Sequence, residues 1–413
     1  MRSRRAGRTA QPPARPTAVV LAALAMLAIV LPGGASASSI SFSGGVLTYN
    51  AAAGEENSVN LVRGNDPADC GSRPAPCLVA DETFFVAITS FPAAHCSREE
   101  GIADTHIECD VPTSVVVNLG DGDDYLSDWD GPSLINGGAG NESALIGHGG
   151  NDTINGGAGS DALSGDGGND TLGGGDGDDY LEGFGSEPPT AGVMPTAGSD
   201  VYVGGPGTDL IDYGGRTEDL SISLDGARND GAPGEADNVG TDVERVRGGL
   251  ANDVLIGSAA ANDLDGAGGN DTLRGGDGDD SLLADAGDDR LFGEAGHDSL
   301  QGANGNDELD GGTGIDEFNG DGEGACDSCG SGMDLILARD GLNEQVRCGA
   351  GEDSAILDPG DLISQDCERL DVGSSAGDGG TPPGGGTPPG GGTPPGGGTP
   401  PGGGGTTAGP TTA

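Results

Sequence analysis

The sequence predicts an all-β protein: a parallel β-roll solenoid of nonapeptide repeats with β caps at both ends and a disordered C-terminal tail. Three observations lead to this prediction. The 413 residues include 85 Gly, an apolar residue recurs every nine positions through much of the chain, and Thr/Pro/Gly runs close it. Hydrophobic residues make up 33% and aromatic residues 3%, too few for the core of an ordinary two-domain enzyme of this length. The chain must therefore bury a thin core that repeats along its length.

The charge of the chain limits its partners. Acidic residues number 68 against 17 basic residues, all of them Arg, for a formal net charge of −51. Such a chain repels nucleic-acid phosphates and anionic membrane surfaces. We therefore predict no nucleic-acid partner.

Residues 1–37 have the pattern of a secretory signal peptide. Several Arg precede an apolar run from Ala18 to Leu31, and Ala35-Ser36-Ala37 offers a cleavage site. The run is too short to span a bilayer, and no second long apolar run follows it, so we expect no membrane span in the mature chain. The segment predicts a secreted protein, extracellular or associated with the cell surface, whose cysteines can form disulfides.

The middle of the chain is a nine-residue repeat. From Gly248 to Asn319 it divides without a gap into eight nonapeptides. With GGDGDDSLL (275–283) as the type, position eight is always apolar, and position six is acidic in every unit except the one with Asn262. Further blocks of four, three and one units lie at 147–182, 119–145 and 204–212.

Position six carries the candidate metal ligands. Gly-rich turns alternate with short strands, so two units make a coil of 18 residues and the position-six carboxylates line up along each edge. Like charges in such rows need a counter-ion. Ca²⁺ accepts six to eight oxygen ligands in irregular geometry, whereas Mg²⁺ demands a near-ideal octahedron. The candidate ligands are Asp124, Asp152, Asp161, Asp170, Asp179, Asp209, Asp253, Asn262, Asp271, Asp280, Asp289, Asp298, Asp307 and Asp316.

This pattern, G-G-x-G-x-D-x-U-x, resembles the haemolysin-type (RTX) calcium-binding repeat of secreted bacterial proteins, in its actinobacterial form. The resemblance implies a β-roll with Ca²⁺ as cofactor, bound between one turn and the turn two units later. The site that uses Asn262 should be weaker, because it has one charge fewer. Since each unit buries only one apolar side chain, we expect the metal-free repeats to be largely disordered and to fold on Ca²⁺.

Segments that lack the nine-residue repeat lie before and after it, and two such segments interrupt it. In the second of two insertions, Asp225, Asp230 and Asp237 are candidate ligands of a wider coil. Short strands are expected before the repeats at 39–42, 46–49, 58–62, 84–89 and 114–119. The predicted domains are a signal peptide (1–37), an N-terminal β cap with disulfides (38–118), the calcium-binding β-roll (119–319) with insertions at 183–197 and 213–247, a C-terminal disulfide-containing cap (320–372) and a Thr/Pro/Gly linker (373–413).

The eight cysteines fall into two clusters, one in each predicted cap. Proximity favours the disulfides Cys70–Cys77 and Cys96–Cys109 in the first cluster. In the second cluster Cys348–Cys367 spans about one coil. The alternative for the second cluster is a zinc site that combines those two cysteines with Cys326 and Cys329.

These observations predict a secreted, non-enzymatic calcium-ion-binding protein whose repeats form a scaffold. The alternative is a calcium-dependent adhesin or extracellular-matrix protein that binds anionic cell-wall or exopolysaccharide material. An enzyme with accessory repeats is a third possibility. Against it, the sequence contains no G-x-S-x-G, H-E-x-x-H or nucleotide-binding loop, and four His without any Lys provide little general-base material.

Overall fold

A computed structural model describes residues 38–51, 53–54, 56–64, 77–82, 92–98, 106–128, 130–183, 198–321 and 332–373. All regular structure in these ranges is β-strand, in 33 strands. The described chain accordingly contains no helix long and apolar enough to cross a membrane. The predicted signal peptide, the strand expected at 84–89, the first insertion from residue 184, Cys70, Cys326, Cys329 and the linker from residue 374 lie outside the described residues.

The strands form two front sheets and one back sheet. The N-terminal front sheet contains β1 (Ser39–Ser43), β2 (Val46–Asn50), β7 (Ser114–Asp121), β9 (Ser133–Ala139), β11 (Thr153–Ala158), β13 (Thr171–Asp176), β15 (Val201–Val203), β18 (Arg228–Asp230) and β19 (Asp237–Val239). The C-terminal front sheet contains β17 (Ser221–Ser223), β21 (Val254–Ile256), β23 (Thr272–Asp277), β25 (Arg290–Ala295), β27 (Glu308–Thr313), β29 (Leu335–Ala338), β31 (Ser354–Leu357) and β33 (Arg369–Val372). The back sheet contains β3 (Ser58–Gly64), β4 (Cys77–Glu82), β5 (Cys96–Arg98), β6 (His106–Asp110), β8 (Tyr125–Ser127), β10 (Ala144–Ile146), β12 (Ala162–Ser164), β14 (Tyr180–Glu182), β16 (Leu210–Asp212), β20 (Arg245–Arg247), β22 (Asp263–Asp265), β24 (Ser281–Leu283), β26 (Ser299–Gln301), β28 (Glu317–Asn319), β30 (Gln345–Arg347) and β32 (Leu362–Ile363).

Successive coils of the repeat pair in parallel, two units apart. In the C-terminal front sheet Leu255, Leu273, Leu291 and Leu309 stand in register, and each is fully buried. Because strand side chains alternate between faces, position eight points into the space between front and back sheets while positions seven and nine face outward. The predicted all-β parallel β-roll is confirmed.

One apolar core runs the length of the described chain. The position-eight side chains form a continuous column, and the same cluster includes Leu47 and Leu78 at the N-terminal end and Val346 and Leu357 at the C-terminal end. The end segments therefore complete the roll rather than forming separate cores.

The N-terminal segment is more regular than its sequence predicts. The strands expected at 39–42, 46–49, 58–62 and 114–119 are confirmed. β2 pairs in parallel with β7, while β3, β4, β6 and β5 extend the back sheet in antiparallel order. The expectations missed β4, β5 and β6, because cysteines and acidic residues interrupt the apolar alternation in these strands.

Two of the expected disulfides are present. Cys96–Cys109 joins β5 to β6, and Cys348–Cys367 closes a loop with a sequence separation of 19, about one coil. Because Cys348 and Cys367 are bonded to each other, the zinc site that would use their thiolates is excluded.

Glycine is required where the turns of neighbouring coils approach each other. Gly269 has a φ angle of +126°, and a Cβ atom placed there would overlap the carbonyl oxygen of Ala251 in the preceding coil. At the neighbouring Gly268 a Cβ atom would meet nothing within 4 Å. The corresponding residue in the next coil is already an alanine, Ala286.

We expect Gly269→Ala to destabilise the folded roll by about 1–3 kcal/mol, because the new methyl group meets backbone in a left-handed conformation. Gly268→Ala is the matched control and should be neutral or slightly stabilising. Thermal unfolding of the two variants in the same buffer measures the difference. Equal melting temperatures would contradict the close approach of the turns.

Candidate metal centre

The position-six side chains lie in two columns, one along each edge of the roll. The front column precedes the strands of the front sheets, and the back column precedes the strands of the back sheet. The front column contains the candidate ligands Asp152, Asp170, Asp253, Asp271, Asp289 and Asp307. The back column contains Asp124, Asp161, Asp179, Asp209, Asn262, Asp280, Asp298 and Asp316.

Within each column, one side-chain oxygen accepts a hydrogen bond from the coil before it. The N–H of Asp271 donates to Oδ1 of Asp289 at 2.7 Å, and the N–H of Asp289 donates to Oδ1 of Asp307 at 2.9 Å. The back column repeats the bond, since the N–H of Asp280 donates to Oδ1 of Asp298 at 2.9 Å. The bond holds each carboxyl group at the boundary between two coils.

The other carboxylate oxygen is buried in the structure and accepts no hydrogen bond from the described residues. This holds for Oδ2 of eleven of the fourteen candidate ligands. An ionised oxygen without a donor is costly to bury, so these carboxyl groups need a proton or a cation. The eleven are Asp124, Asp152, Asp161, Asp170, Asp179, Asp209, Asp271, Asp280, Asp289, Asp298 and Asp307.

Burial raises the pKa of these carboxyl groups. The pKa of Asp271 and of Asp289 rises from 3.8 to about 7, and the pKa of Asp280 and of Asp298 rises to about 6. Loss of water around the charged form is the main cause. The backbone hydrogen bond to Oδ1 opposes the shift only in part.

Glycine at position one leaves space beside the buried oxygen. A Cβ atom on Gly293 would overlap Oδ2 of Asp298 and also approach the carbonyl oxygen of Gly311 in the next coil. A Cβ atom on Gly302 would meet Oδ2 of Asp307 and a carbonyl oxygen of the next coil in the same way. The turn thus brings a carboxylate oxygen and backbone carbonyl oxygens to one small space, which is the donor set of a hard cation such as Ca²⁺.

Backbone oxygens must supply most of the ligands. Across the described ranges, no three His, Cys, Asp or Glu side chains form a group able to hold a metal ion by themselves. Ca²⁺ binds carbonyl oxygens readily, whereas soft metals select thiolate or imidazole ligands. The arrangement therefore favours Ca²⁺.

Asp334 and Asp353 occupy position six beyond the counted repeats, where the sequence predicted no candidate ligand. The N–H of Asp307 donates to Oδ1 of Asp334 at 3.0 Å, and the N–H of Asp334 donates to Oδ1 of Asp353 at 3.0 Å. Oδ2 of both residues is buried without a partner in the structure. The nine-residue count is lost there, but an Asp before each strand, β29 and β31, was the signal that could have found them.

Two glutamates occupy position-six places with a different arrangement. Both carboxylate oxygens of Glu142 and of Glu344 are buried without a hydrogen-bond partner among the described residues. Burial, together with the nearby carboxyl groups of Asp161 and Asp361, raises the pKa of each to about 9. Burial therefore favours the neutral form of these two carboxyl groups unless a cation is bound beside them.

A second, exposed ladder runs outside the first. At position five, Oδ1 of Asn252 accepts the N–H of Asn270 at 2.7 Å, and Oδ1 of Asn270 accepts the N–H of Asp288 at 2.9 Å. These bonds run from each coil back to the one before it, opposite to the bonds of position six. Adjacent carboxylates such as Asp288 and Asp289 therefore have different roles, one on the outer rim and one buried.

One known family matches the chain. The model of the haemolysin-type family, described as RTX calcium-binding nonapeptide repeat (4 copies), matches residues 145–183, 239–273, 247–282, 265–300 and 283–318. A search of curated proteins found no match to the chain. In the matched segments position six is an aspartate except at Asn262, and position one is a glycine except at Ala284 wherever the nine-residue count holds.

We expect acid to stabilise the metal-free roll. A carboxyl group whose pKa is raised on folding from 3.8 to about 6–7 favours the folded state below pH 4, and that contribution is lost as pH rises through 6–7. In Ca²⁺ the dependence should reverse, because the cation competes with the proton for the same oxygen. Circular dichroism at pH 5, 6, 7 and 8, in metal-free buffer and in Ca²⁺, measures both slopes. Metal-free β-structure that increases with pH would contradict the expectation.

Proposed function

Because residues 145–183 and 239–318 are RTX calcium-binding nonapeptide repeats in a β-roll, we propose that the protein is a secreted, non-enzymatic calcium-binding scaffold. Its repeats fold when Ca²⁺ binds between coils. The eleven aspartates with a buried, unpartnered Oδ2, together with Asp334 and Asp353, are the side chains that would hold the ions.

One observation carries the proposal: at nine of the eleven aspartates the buried carboxylate oxygen faces the space left by a position-one glycine. Neutralising such an oxygen removes the repulsion within the column and the cost of its burial at the same time. Because the site exists only when two coils are stacked, binding energy becomes folding energy.

Secretion and extracellular location rest on the predicted signal peptide and are supported by the two disulfides Cys96–Cys109 and Cys348–Cys367. Disulfides of this structural kind persist in oxidising compartments. The non-enzymatic role rests on the sequence, in which no recognised catalytic motif was found. Binding of Ca²⁺ at these sites requires only oxygen ligands and no catalytic group.

A second function is favoured by the outer rim of the turns. Asp176, Asp178, Asp277, Asp279 and Asp288 are exposed there. Carboxylates in such a position can share Ca²⁺ with the acidic groups of another polymer. The protein would then be an adhesin or matrix protein that binds anionic cell-wall or exopolysaccharide through calcium.

Ca²⁺, but not Mg²⁺, should convert the metal-free chain cooperatively from coil to β-structure in far-ultraviolet circular dichroism. Asp289→Asn should raise the Ca²⁺ midpoint several-fold, because it removes a buried charge while keeping the Oδ1 acceptor. Asp288→Asn is the matched control, the same change on the exposed neighbouring residue, and should shift the midpoint less than about two-fold. An unchanged wild-type spectrum throughout the titration would contradict calcium-driven folding.

For the adhesin function, we expect the folded protein to be retained on beads of an anionic polyuronate in Ca²⁺ and released by chelator. Beads of neutral dextran are the control and should retain nothing. Equal elution from both kinds of bead would contradict the adhesin function and leave only the scaffold function.

A further inference from the structure

The two blocks of matched repeats meet at the second insertion, where the front face changes sheets. β17 begins the C-terminal front sheet, while β18 and β19 end the N-terminal front sheet. Ser221 and Gly231 exchange two backbone hydrogen bonds of 3.1 Å, which join the two sheets. The back sheet continues through β16, β20 and β22 without a break.

Two tyrosines occupy this part of the core and turn their hydroxyl groups to the front column. The hydroxyl of Tyr202 lies 3.5 Å from Oδ2 of Asp200, and the hydroxyl of Tyr213 lies 3.4 Å from Oδ2 of Asp237. Both rings are buried to 1% exposure. A phenolic hydroxyl therefore lies within 3.5 Å of the oxygen that has no partner in the repeats.

Two more carboxyl groups, Asp230 in the insertion and Asp253 just after it, accept backbone N–H groups on both oxygens. Asp253 accepts the N–H of Leu220 at 2.8 Å on Oδ1 and the N–H of Gly249 at 2.6 Å on Oδ2. Asp230 likewise accepts backbone N–H groups on both oxygens, at 2.7 and 2.9 Å. Neither carboxylate has an oxygen left without a donor.

The back column is closed in the same coil by an amide. Oδ1 of Asn262 accepts the N–H of Ser258 at 2.7 Å. Its Nδ2 group donates towards the carbonyl oxygens of Val243 and Glu244, at 3.5 and 3.4 Å. The amide thus places an N–H donor where the other repeats have the second carboxylate oxygen of an aspartate.

The insertion also contains its own positive charge. Nη2 of Arg216 contacts the two carboxylate oxygens of Glu235 at 2.8 and 2.9 Å, and the two side chains are 10% and 15% exposed. A Cβ atom on Gly231 would lie 2.8 Å from Oε2 of Glu235 and 2.9 Å from Oδ2 of Asp237, so this ion pair borders the front column. The guanidinium neutralises Glu235 within the insertion, and its charge also favours the ionised form of Asp237.

We propose that residues 213–262, together with Asp200 and Tyr202, form a joint that binds no calcium and stays folded without it. The proposal rests on the proposed function, because it divides the calcium sites into two blocks. Asp209, whose Oδ2 has no partner in the structure, closes the N-terminal block, and the C-terminal block begins at Asp271. In a solenoid each coil is stabilised by its neighbours. A joint that stays folded without calcium is therefore the template on which both blocks fold when calcium binds.

Hydrogen exchange of the full, disulfide-oxidised chain tests the joint. In metal-free buffer, peptides within 213–262 should exchange at least tenfold more slowly than peptides within 264–319, and Ca²⁺ should protect both. If both sets exchange equally fast without metal and are protected only by Ca²⁺, the joint is overturned while calcium-driven folding stands. If both are protected without metal, calcium-driven folding is overturned, and the division into blocks falls with it.

A tyrosine variant tests the cause of the persistence. Tyr213→Phe should lose at least half of the metal-free protection within 213–262 and retain the calcium-bound protection of 264–319. Tyr125→Phe, the same change on the half-buried outer side of the back sheet, is the control and should leave the joint unchanged. Full protection in Tyr213→Phe would overturn the role of its hydroxyl.

Calcium counting by equilibrium dialysis tests the assignment of sites. Asp253→Asn should bind as many ions as the wild type, because both of its oxygens already have donors. Asp271→Asn, the same change one coil further along the front column, should bind at least one ion fewer. An equal loss in the two variants would overturn the exclusion of calcium from the joint.

Discussion

Most coils of the repeat are held to the next by a carboxylate that has one oxygen in use and one without a partner in the structure. Oδ1 accepts a backbone N–H of the preceding coil, which fixes the register at 18 residues in the continuous repeat. The same bond places Oδ2 in a buried turn, where no protein donor reaches it. Stacking the coils therefore creates an electrostatic cost that only a proton or a cation can remove. The need for a proton or a cation follows from the geometry of stacking itself.

Much of this arrangement can be predicted from the sequence, because its causes are local and periodic. An apolar residue at position eight predicts the core column, and an acidic residue at position six predicts the edge columns. The parallel sheets follow from an 18-residue coil. The two confirmed disulfides could also be predicted, because the paired cysteines are close in sequence: Cys96 and Cys109 are 13 residues apart, and Cys348 and Cys367 are 19 apart. Which position-six carboxylates bind calcium stays a prediction.

The features that escaped prediction depend on contacts between distant residues. Tyr202 reads as an ordinary core residue at position eight, and only the folded chain shows its hydroxyl beside Asp200. Asp253 fits the repeat in sequence, yet both of its oxygens are occupied, Oδ1 by the N–H of the distant Leu220 and Oδ2 by the N–H of Gly249. The exchange of front sheets at β17 and β18 has no periodic signal either, because it arises where the period is interrupted. The nine-residue period predicts the structure of the repeated coils, but the contacts made where the period is interrupted are seen only in the folded chain.

The 18-residue register also limits how the length of such a chain can change. Removal of nine residues would preserve every local turn and strand, but it would move each later strand from the front of the roll to the back. Outward side chains matched to one sheet, such as the ion pair of Arg290 with Glu308 on neighbouring front strands, would then face the wrong neighbours. Insertions and deletions by duplication should thus be tolerated in whole coils, or in irregular segments that return the chain to the edge it left. The second insertion does this, since β16 and β20 pair directly across it in the back sheet.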